Sequence, residues 1–137
     1  MKLLTKKTDY AIRAIMHLAF NTDKFVSSKK ISESELIPLQ FLRGILQTLT
    51  KENIIESQEG ISGGVKLKKD PHKLKLTKVI EIFQGKVKLS ECILRKKVCP
   101  NRAKCVLRKL IVNIENKVVK ELKVVTIGSL IDDIKNS

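Results

Sequence analysis

Residues 28–67 read SKKISESELIPLQFLRGILQTLTKENIIESQEGISGGVKL, and this stretch decides the fold. A short helix is predicted over residues 28–34 with Ser27 or Ser28 as its N-cap, because a serine side chain at a helix N-terminus accepts a hydrogen bond from a free backbone N–H group. A tight turn at residues 35–37 follows, and Pro38 then begins a second helix that continues to Lys51. Two short helices joined by a tight turn predict a helix-turn-helix motif.

A β-hairpin is predicted directly after the second helix. Residues 54–56 and 65–67 read as two short strands, and the sequence GISGG at residues 60–64 reads as the turn between them. Glycine adopts backbone angles that other residues avoid, and it lets a turn approach a phosphate closely. A hairpin that follows two such helices is typical of the wing of a winged helix-turn-helix.

Further helices are predicted on both sides of this stretch. Residues 8–20 (TDYAIRAIMHLAF) are apolar on most of the helix circumference, which predicts a buried helix. Thr77 is expected to cap a short helix that ends before Gly85, and Thr126 is expected to cap a last short helix.

A long amphipathic helix is predicted from Ala103 to Val124. Its apolar stripe consists of Val106, Leu110, Ile114, Val118, Leu122 and Val125. The other positions are rich in lysine and arginine. We expect this helix to pack against a second copy of itself, and the alternative is that it folds back on its own domain.

The elements together predict a mainly α protein with a small β-hairpin wing. A winged helix-turn-helix DNA-binding domain is expected over residues 1–85, and a cysteine loop with the dimerisation helix is expected over residues 86–137. The chain of 137 residues has the size of one ordinary domain with an appended element.

The charge of the chain favours a polyanionic partner. The sequence has 28 Lys and Arg residues against 14 Asp and Glu residues, which gives a net charge of +14. Each phosphate that such a protein neutralises releases counterions, so double-stranded DNA is the expected partner. The alternatives are a solvated lysine-rich surface or attraction to a membrane surface. No apolar run approaches the ~20 residues of a membrane span, and a cytoplasmic protein is expected.

Three cysteines lie close together in the sequence. Cys92, Cys99 and Cys105 have the spacing C-x6-C-x5-C, and lysine and arginine flank each of them. Thiolates are soft ligands for iron–sulfur clusters, zinc or copper, whereas structural zinc sites normally have closer cysteine pairs. Wide spacing fits an iron–sulfur cluster, but it leaves unliganded cysteines or a thiol switch open.

The order of these features resembles the bacterial transcription regulators of the IscR/NsrR type over nearly the whole chain. The resemblance is carried by the three cysteines and by the segments MKLLTKKTDYAIRAIMHLA (1–19), VSSKKISESELIPLQFLRGILQTLTKENII (26–55), GISGGVKL (60–67), LTKVIEIFQG (76–85) and VTIGSLI (125–131). No single segment is decisive, and their order and spacing together make the match specific.

This resemblance implies a homodimer that reads a roughly palindromic promoter site in double-stranded DNA. It implies that Cys92, Cys99 and Cys105 bind a [2Fe–2S] or [4Fe–4S] cluster near the dimer interface. Loss, oxidation or nitrosylation of the cluster would change the affinity for DNA. Promoter binding would therefore respond to nitric oxide, redox state or iron supply.

The fourth ligand of the cluster is expected to be Asp9. Regulators of iron–sulfur biogenesis carry a histidine three residues after the last cysteine, and Arg108 stands there in this chain. Nitric-oxide sensors carry an aspartate in the first helix, supplied by the opposite subunit, and Asp9 is at the matching place. The alternative is that Asp9 is only a charge at a helix start. The family's wing usually has an arginine where this chain has Glu59, so wing contacts are expected to differ.

The candidate DNA contacts fall into two groups. Gln40, Arg43 and Gln47 are expected to face the major groove, where arginine prefers guanine and glutamine prefers adenine. The candidate phosphate contacts include Ser28, Lys29, Ser62, Gly63, Gly64 and Lys66, as well as Thr5, Lys6 and Lys7 near the N-terminus.

An enzyme is not expected from this sequence. It has no phosphate-binding glycine loop, no Ser/His/Asp constellation and no paired histidine ligands. The competing interpretations are a regulator without a cluster, whose cysteines act as a thiol switch or bind zinc, an electron carrier, and a protein-interaction adaptor.

Overall fold

A computed structural model describes residues 3–89 and 106–137. The elements in these ranges are α1 (Lys6–Phe20), α2 (Ser28–Glu35), α3 (Leu39–Lys51), β1 (Ile55–Gln58), β2 (Gly64–Leu67), a 3₁₀ helix (Pro71–Lys73), α4 (Leu76–Gln84), α5 (Val106–Lys123) and α6 (Ile127–Lys135). This mainly α architecture with one antiparallel hairpin confirms the predicted fold class. The three cysteines lie outside the described residues.

The helix starts follow from side-chain capping. The Thr5 hydroxyl accepts a hydrogen bond from the Thr8 backbone N–H, so α1 begins at Lys6, two residues before the predicted start. Ser27 caps α2 by accepting from the Lys30 N–H at 3.2 Å. Pro38, which was predicted to lie in the first turn of α3, is its N-cap residue, so this helix begins at Leu39, one position after the predicted start.

The predicted cap of α4 at Thr77 is wrong. This helix begins at Leu76, its N-cap residue is Lys75, and no side chain caps it. The Leu76 N–H donates instead to the Val125 carbonyl at 3.0 Å, within an isolated bridge between Lys75 and Thr126. A backbone carbonyl about fifty residues away therefore accepts a hydrogen bond from the start of α4, where a local threonine side chain was expected to be the acceptor.

The wing is a two-stranded antiparallel hairpin attached to the start of α2. Ile55 pairs with Leu67, and Gln58 pairs with Gly64. Val26 extends the sheet by exchanging two backbone hydrogen bonds with Val65, at 2.9 and 2.8 Å. Gly64 lies directly against the Val26 carbonyl with a φ of 148°, where a Cβ atom would overlap that carbonyl. The hairpin is thus held in a fixed position beside α2.

Helix α1 lies at the centre of the hydrophobic core. Ala11, Ala14, Ile15 and Leu18 have no exposed surface, and α1 packs against α2, α3, α4 and α6. The contact with α6 crosses the predicted domain boundary after residue 85, because Ile127 and Ile131 of α6 belong to this core. The C-terminal helix therefore packs on the same core as the helix-turn-helix.

His72 joins the 3₁₀ helix to α6. Its Nε2 atom lies 2.9 Å from Asp132 Oδ2, and its Nδ1 atom lies 3.7 Å from Asp70 Oδ1. Gly128 of α6 lies directly against the His72 ring and backbone, where a Cβ atom would overlap them. The hydrogen bond and charge of Asp132, with a smaller contribution from Asp70, raise the pKa of His72 above 6.5, while burial and Lys135 oppose this increase.

We predict that part of the folding stability is lost as the pH rises. The pKa of His72 is raised in the folded state, so its stabilising contribution is complete below pH 6.5 and disappears as the pH passes the folded-state pKa. Urea unfolding of the wild type and of Asp132→Asn should be measured below pH 6.5 and again above the folded-state pKa of His72. The free energy of unfolding should change less with pH in the variant than in the wild type. Asp133→Asn is the matched control and should behave as the wild type. Equal pH dependence in all three proteins would contradict this assignment.

Candidate nucleic-acid interface

Helix α3 has a buried apolar face and an exposed polar face. Leu42, Ile45, Leu46 and Leu49 are buried in the core. Three side chains, Gln40, Arg43 and Gln47, are exposed and share one side of the helix. Within the described residues none of the three makes a side-chain hydrogen bond or ion pair with another part of the chain. Their donors and acceptors are available to a partner.

The orientation of α3 is fixed by its contacts with α1 and α2. The Phe41 ring packs edge-on against Tyr10, with 5.8 Å between the ring centroids. The Ser32 hydroxyl donates to the Ile37 carbonyl at 2.6 Å and closes the turn between α2 and α3. Leu36 in this turn has a φ of 55°, a conformation that leucine rarely adopts. The turn is therefore held in one geometry by the packing around it.

A basic cleft lies between the end of α1, the start of α2 and the wing. The cavity has a volume of about 510 Å³. It is lined by His17, Asn21, Lys24, Phe25, Val26, Ser27, Lys30, Ile61, Ser62 and Gly63. Of the predicted phosphate contacts, Ser62 and Gly63 line this cleft, and the exposed Lys29 and half-buried Ser28 lie in the first turn of α2 beside it.

Lys24 and Lys30 were not identified from the sequence as contact residues. Both line the cleft, and the fold brings them next to the wing tip at Ile61–Gly63, which lies more than thirty residues further along the chain. Their positive charge was visible in the sequence, but their place was not. Lys66, which was predicted, is held near this region by the Phe25 ring, with its ammonium 5.7 Å from the ring centroid.

The wing glycines have a structural role inside the protein. Gly63 lies against the Gln58 carbonyl and Gly64 against the Val26 carbonyl, so neither position has room for a side chain. Their presence is therefore explained by the packing of the hairpin, whether or not they also contact a phosphate.

Asp9 and Arg13 form a small network at the surface of α1. Asp9 has 53% of its side chain exposed, and its Oδ2 atom lies 3.3 Å from Arg13 Nη2. Arg13 Nη1 donates to the Glu35 backbone carbonyl at 2.8 Å, and the guanidinium lies 5.1 Å from the Tyr10 ring centroid. Arg13 thus connects the predicted ligand Asp9 to the last residue of α2.

Helix α5 exposes an apolar surface. None of its residues is buried, and Val106, Leu107, Leu110 and Ile114 are exposed. Towards the end of the helix, Leu122 packs against the core, as does Val125 just beyond it. The apolar stripe is therefore covered only at its C-terminal end within the described residues.

Comparison with known proteins identifies the family. The family model described as "Iron-dependent Transcriptional regulator" (Rrf2) matches residues 4–133. The chain belongs to the Rrf2 family of transcriptional regulators. This identification confirms the predicted resemblance, because relatives named IscR and NsrR are among the matches.

Three relatives show the extent of the similarity. An HTH-type transcriptional regulator of Aquifex aeolicus is 33% identical over 66% of this chain and 62% of its own length. The regulator NsrR of Shouchella clausii is 30% identical over 67% of this chain and 62% of its own length. The regulator IscR of Escherichia coli is 28% identical over 95% of this chain and 80% of its own length.

Solved structures share the fold of this Rrf2-family chain. CymR, the global cysteine regulator of B. subtilis, has a TM-score of 0.79 at 20% identity, covering 96% of this chain and 98% of that one. IscR of T. potens has a TM-score of 0.71 at 24% identity, covering 98% of this chain and 88% of that one.

The described residues hold no complete metal site. Over residues 3–89 and 106–137, no three His, Cys, Asp or Glu side chains are grouped so as to hold a metal ion. In the same ranges, no helix is both long and apolar enough to cross a membrane. Of the four predicted cluster ligands, Asp9 is the one within the described residues, and it is accessible at the surface.

We predict that Arg13 stabilises this Rrf2-family fold mainly through its hydrogen bond to the Glu35 carbonyl and less through its ion pair with Asp9. Arg13→Met keeps the aliphatic stem but removes the bond to the Glu35 carbonyl together with the Asp9 ion pair and the Tyr10 contact, and it should lower the free energy of unfolding by ~1–3 kcal/mol. Asp9→Asn is the matched control and should cost under ~1 kcal/mol, because it removes only an exposed ion pair. Urea unfolding measures both, and equal losses would show that the Glu35 bond adds nothing.

Proposed function

We propose that this chain is a sequence-specific, repressor-type regulator that binds a roughly palindromic promoter site in double-stranded DNA as a homodimer. The observation that carries the proposal is the exposed face of α3, where Gln40, Arg43 and Gln47 have no partner among the described residues. A helix whose other face is buried presents these side chains rigidly. In a helix-turn-helix, the second helix is the one that enters the major groove.

The chemistry of these three side chains suits base edges. Arginine donates two hydrogen bonds to guanine O6 and N7, and glutamine both donates to and accepts from adenine. The surrounding positive charge suits phosphates. Lys29 at the start of α2 and Lys24 and Lys30 in the basic cleft would fix the protein on the duplex, with Ser62 and Lys66 of the wing as further contacts.

We predict that Arg43 reads a base. Arg43→Ala should cost ~1–3 kcal/mol of binding free energy on the preferred site and relax the preference at one base pair. Lys29→Ala is the comparison, and it should weaken binding equally on all sequences and lower the salt slope by about 1. Fluorescence anisotropy on duplexes selected from a random pool measures both effects. If Arg43→Ala weakened binding equally on every sequence, Arg43 would be a phosphate contact.

The homodimer is supported by the exposed apolar surface of α5. Leu107, Leu110 and Ile114 are exposed in the single chain, and burying such side chains against a second copy would remove them from water. A symmetric dimer also matches a palindromic site, because each DNA-binding unit then meets one half-site.

We predict that Leu110→Glu converts the dimer to a monomer. The substitution places a charge in the apolar stripe, and an unpaired charge is costly in an interface. Lys109→Glu changes the neighbouring exposed position by a larger charge step and should leave the dimer intact. Size-exclusion chromatography with light scattering gives the mass. A monomeric wild type, or a dimeric Leu110→Glu, would contradict the assigned interface.

We propose that an iron–sulfur cluster, held by Cys92, Cys99, Cys105 and Asp9, sets the DNA affinity. The donor set fits, since it offers three thiols and one accessible carboxylate, and the matching family is described as iron-dependent. A bound cluster would supply a group that responds to nitric oxide, redox state or iron supply. The cytoplasm, where thiols stay reduced, is the matching compartment.

The Asp9–Arg13 network gives a route from this ligand to the DNA-binding helices. While Arg13 is paired with Asp9, it also holds the Glu35 carbonyl next to the turn that precedes α3. When Asp9 is engaged elsewhere, Arg13 keeps only Glu35 and the face of the Tyr10 ring, and Tyr10 contacts Phe41 of α3. A coupling of ~1–3 kcal/mol would change the affinity for DNA about 5–150-fold.

We predict that protein purified without oxygen contains iron and sulfide in matched amounts. The visible spectrum should show a broad band that Cys99→Ser removes, because a missing thiolate leaves the cluster incomplete. Asp9→Asn tests the fourth ligand and should change the spectrum. Asp23→Asn, in the segment just after α1, is the matched control and should leave the spectrum unchanged.

A colourless protein, even after reconstitution, would contradict the cluster. The second candidate is then a thiol switch or a zinc site at the same cysteines. The thiol switch is favoured by the fold shared with CymR, which in Staphylococcus aureus has been solved in an oxidized form. Zinc analysis and the effect of a thiol oxidant on DNA binding would separate these two.

A further inference from the structure

The tip of the wing carries one large apolar side chain. Ile61 is fully exposed to water, at 110% of its reference accessible surface. The residues around it in the turn are small, namely Gly60, Ser62 and Gly63. The turn is therefore a slim projection with a single bulky side chain at its end.

The position of this projection is fixed by the fold. The Gly63 N–H donates to the Gly60 carbonyl at 3.1 Å, which closes the turn. Gly64 packs on the Val26 carbonyl, and the Val26–Val65 hydrogen bonds attach the hairpin to the start of α2. Ile61 also lines the basic cleft beside Lys24 and Lys30. The tip is thus held next to the basic surface that the proposed function assigns to phosphates.

The charges along the wing change from its base to its tip. The base carries Lys66, Lys68 and Lys69, with Glu56 opposite Lys66, whereas the only charged residue in the turn between β1 and β2 is the exposed Glu59. The Ile61 side chain has no group that could bind a phosphate, so the tip is unsuited to lie along the DNA backbone, and the exposed Glu59 would have to turn its carboxylate away from the duplex. Lysines at the base of the hairpin suit contacts with phosphates. An apolar side chain at its tip suits a contact with bases inside a groove.

We propose that Ile61 is a specificity-determining residue that enters the minor groove and presses against a base step as an apolar wedge. This inference rests on the proposed function. The minor groove is about 6 Å wide, which admits the single isoleucine side chain at the end of a turn whose neighbouring residues are glycine and serine. Apolar side chains inserted there partly unstack base pairs and bend the duplex. Pyrimidine–purine steps deform most easily and should be preferred under the wing.

A protein partner fits this feature less well than DNA does. An apolar docking patch on a protein surface is typically several hundred Å² in area. The tip offers one isoleucine among exposed polar and small residues, Glu59, Ser62 and Gln58 among them. A single apolar side chain on a narrow projection is the form of a wedge.

The test uses the full chain and duplexes that the wild type selects from a random pool. 2-Aminopurine is placed at the step under the wing, where unstacking raises its fluorescence. Ile61→Ser should bind the selected duplex about tenfold more weakly, equivalent to ~1.4 kcal/mol, and should lose the fluorescence increase. Ile61→Leu should restore both. Val124→Ser, at another exposed apolar residue outside the wing, is the matched control and should bind as the wild type.

The outcomes separate the wedge from the proposed function itself. If the wild type selects no duplex, the chain is not a sequence-specific DNA-binding regulator and both ideas fail. If the wild type selects a duplex but Ile61→Ser binds it equally well with unchanged fluorescence, the wedge is wrong and the regulator stands. Weaker binding of Ile61→Ser with rescue by Ile61→Leu, and with Arg43→Ala weakening binding separately, supports the wedge.

Discussion

The burial of α1 is the constraint on which the rest of the structure depends. Ala11 and Ala14 have no exposed surface, and their small side chains leave room for neighbouring helices to approach closely. Ile15 and Leu18 fill the remaining space with branched apolar volume. Because α2, α3, α4 and α6 all pack on this one helix, the helix-turn-helix and the C-terminal helix share a single core. A change in the position of α1 is therefore transmitted to all four of these helices.

The return of α6 to this core gives α5 a defined relation to the DNA-binding helices. Ile127 and Ile131 anchor α6 against α1, and the Ile127 N–H donates to the Leu74 carbonyl at 2.9 Å. His72 adds an ion pair and hydrogen bond with Asp132. Since α5 runs directly into α6, an apolar contact between two copies of α5 would place two DNA-binding units at a distance set by these anchors. In the proposed dimer, the spacing of the two half-sites would therefore depend on how α6 is anchored.

Much of the fold could be predicted from the sequence because local signals mark its boundaries. Ser27 caps α2, and Asn53 takes the left-handed conformation after α3 with a φ of 59°. The exposed face of α3 followed from helical spacing alone. The start of α4 could not be predicted, because the strand-like bridge between residues 75 and 126 replaces the expected Thr77 cap. Arg13 was equally hidden, since its partner Glu35 lies 22 residues away and is contacted through its backbone.

On α3, the residues that pack the core lie on one side and the exposed polar residues lie on the other. On α1, by contrast, the single residue Arg13 has several partners within the protein. Leu42, Ile45 and Leu49 hold α3 in the core, so the exposed side of that helix has no structural task and its polar groups are available to DNA. Arg13 on α1 has no such freedom, because the same guanidinium binds Asp9, the Glu35 carbonyl and the Tyr10 face. When one of several partners is removed, the remaining contacts of such a residue rearrange. A side chain without partners in the protein has no contacts to rearrange. Under the proposed function, base readout would lie on α3, and a change at Asp9 would redistribute contacts of Arg13 on α1 that reach the helix-turn-helix.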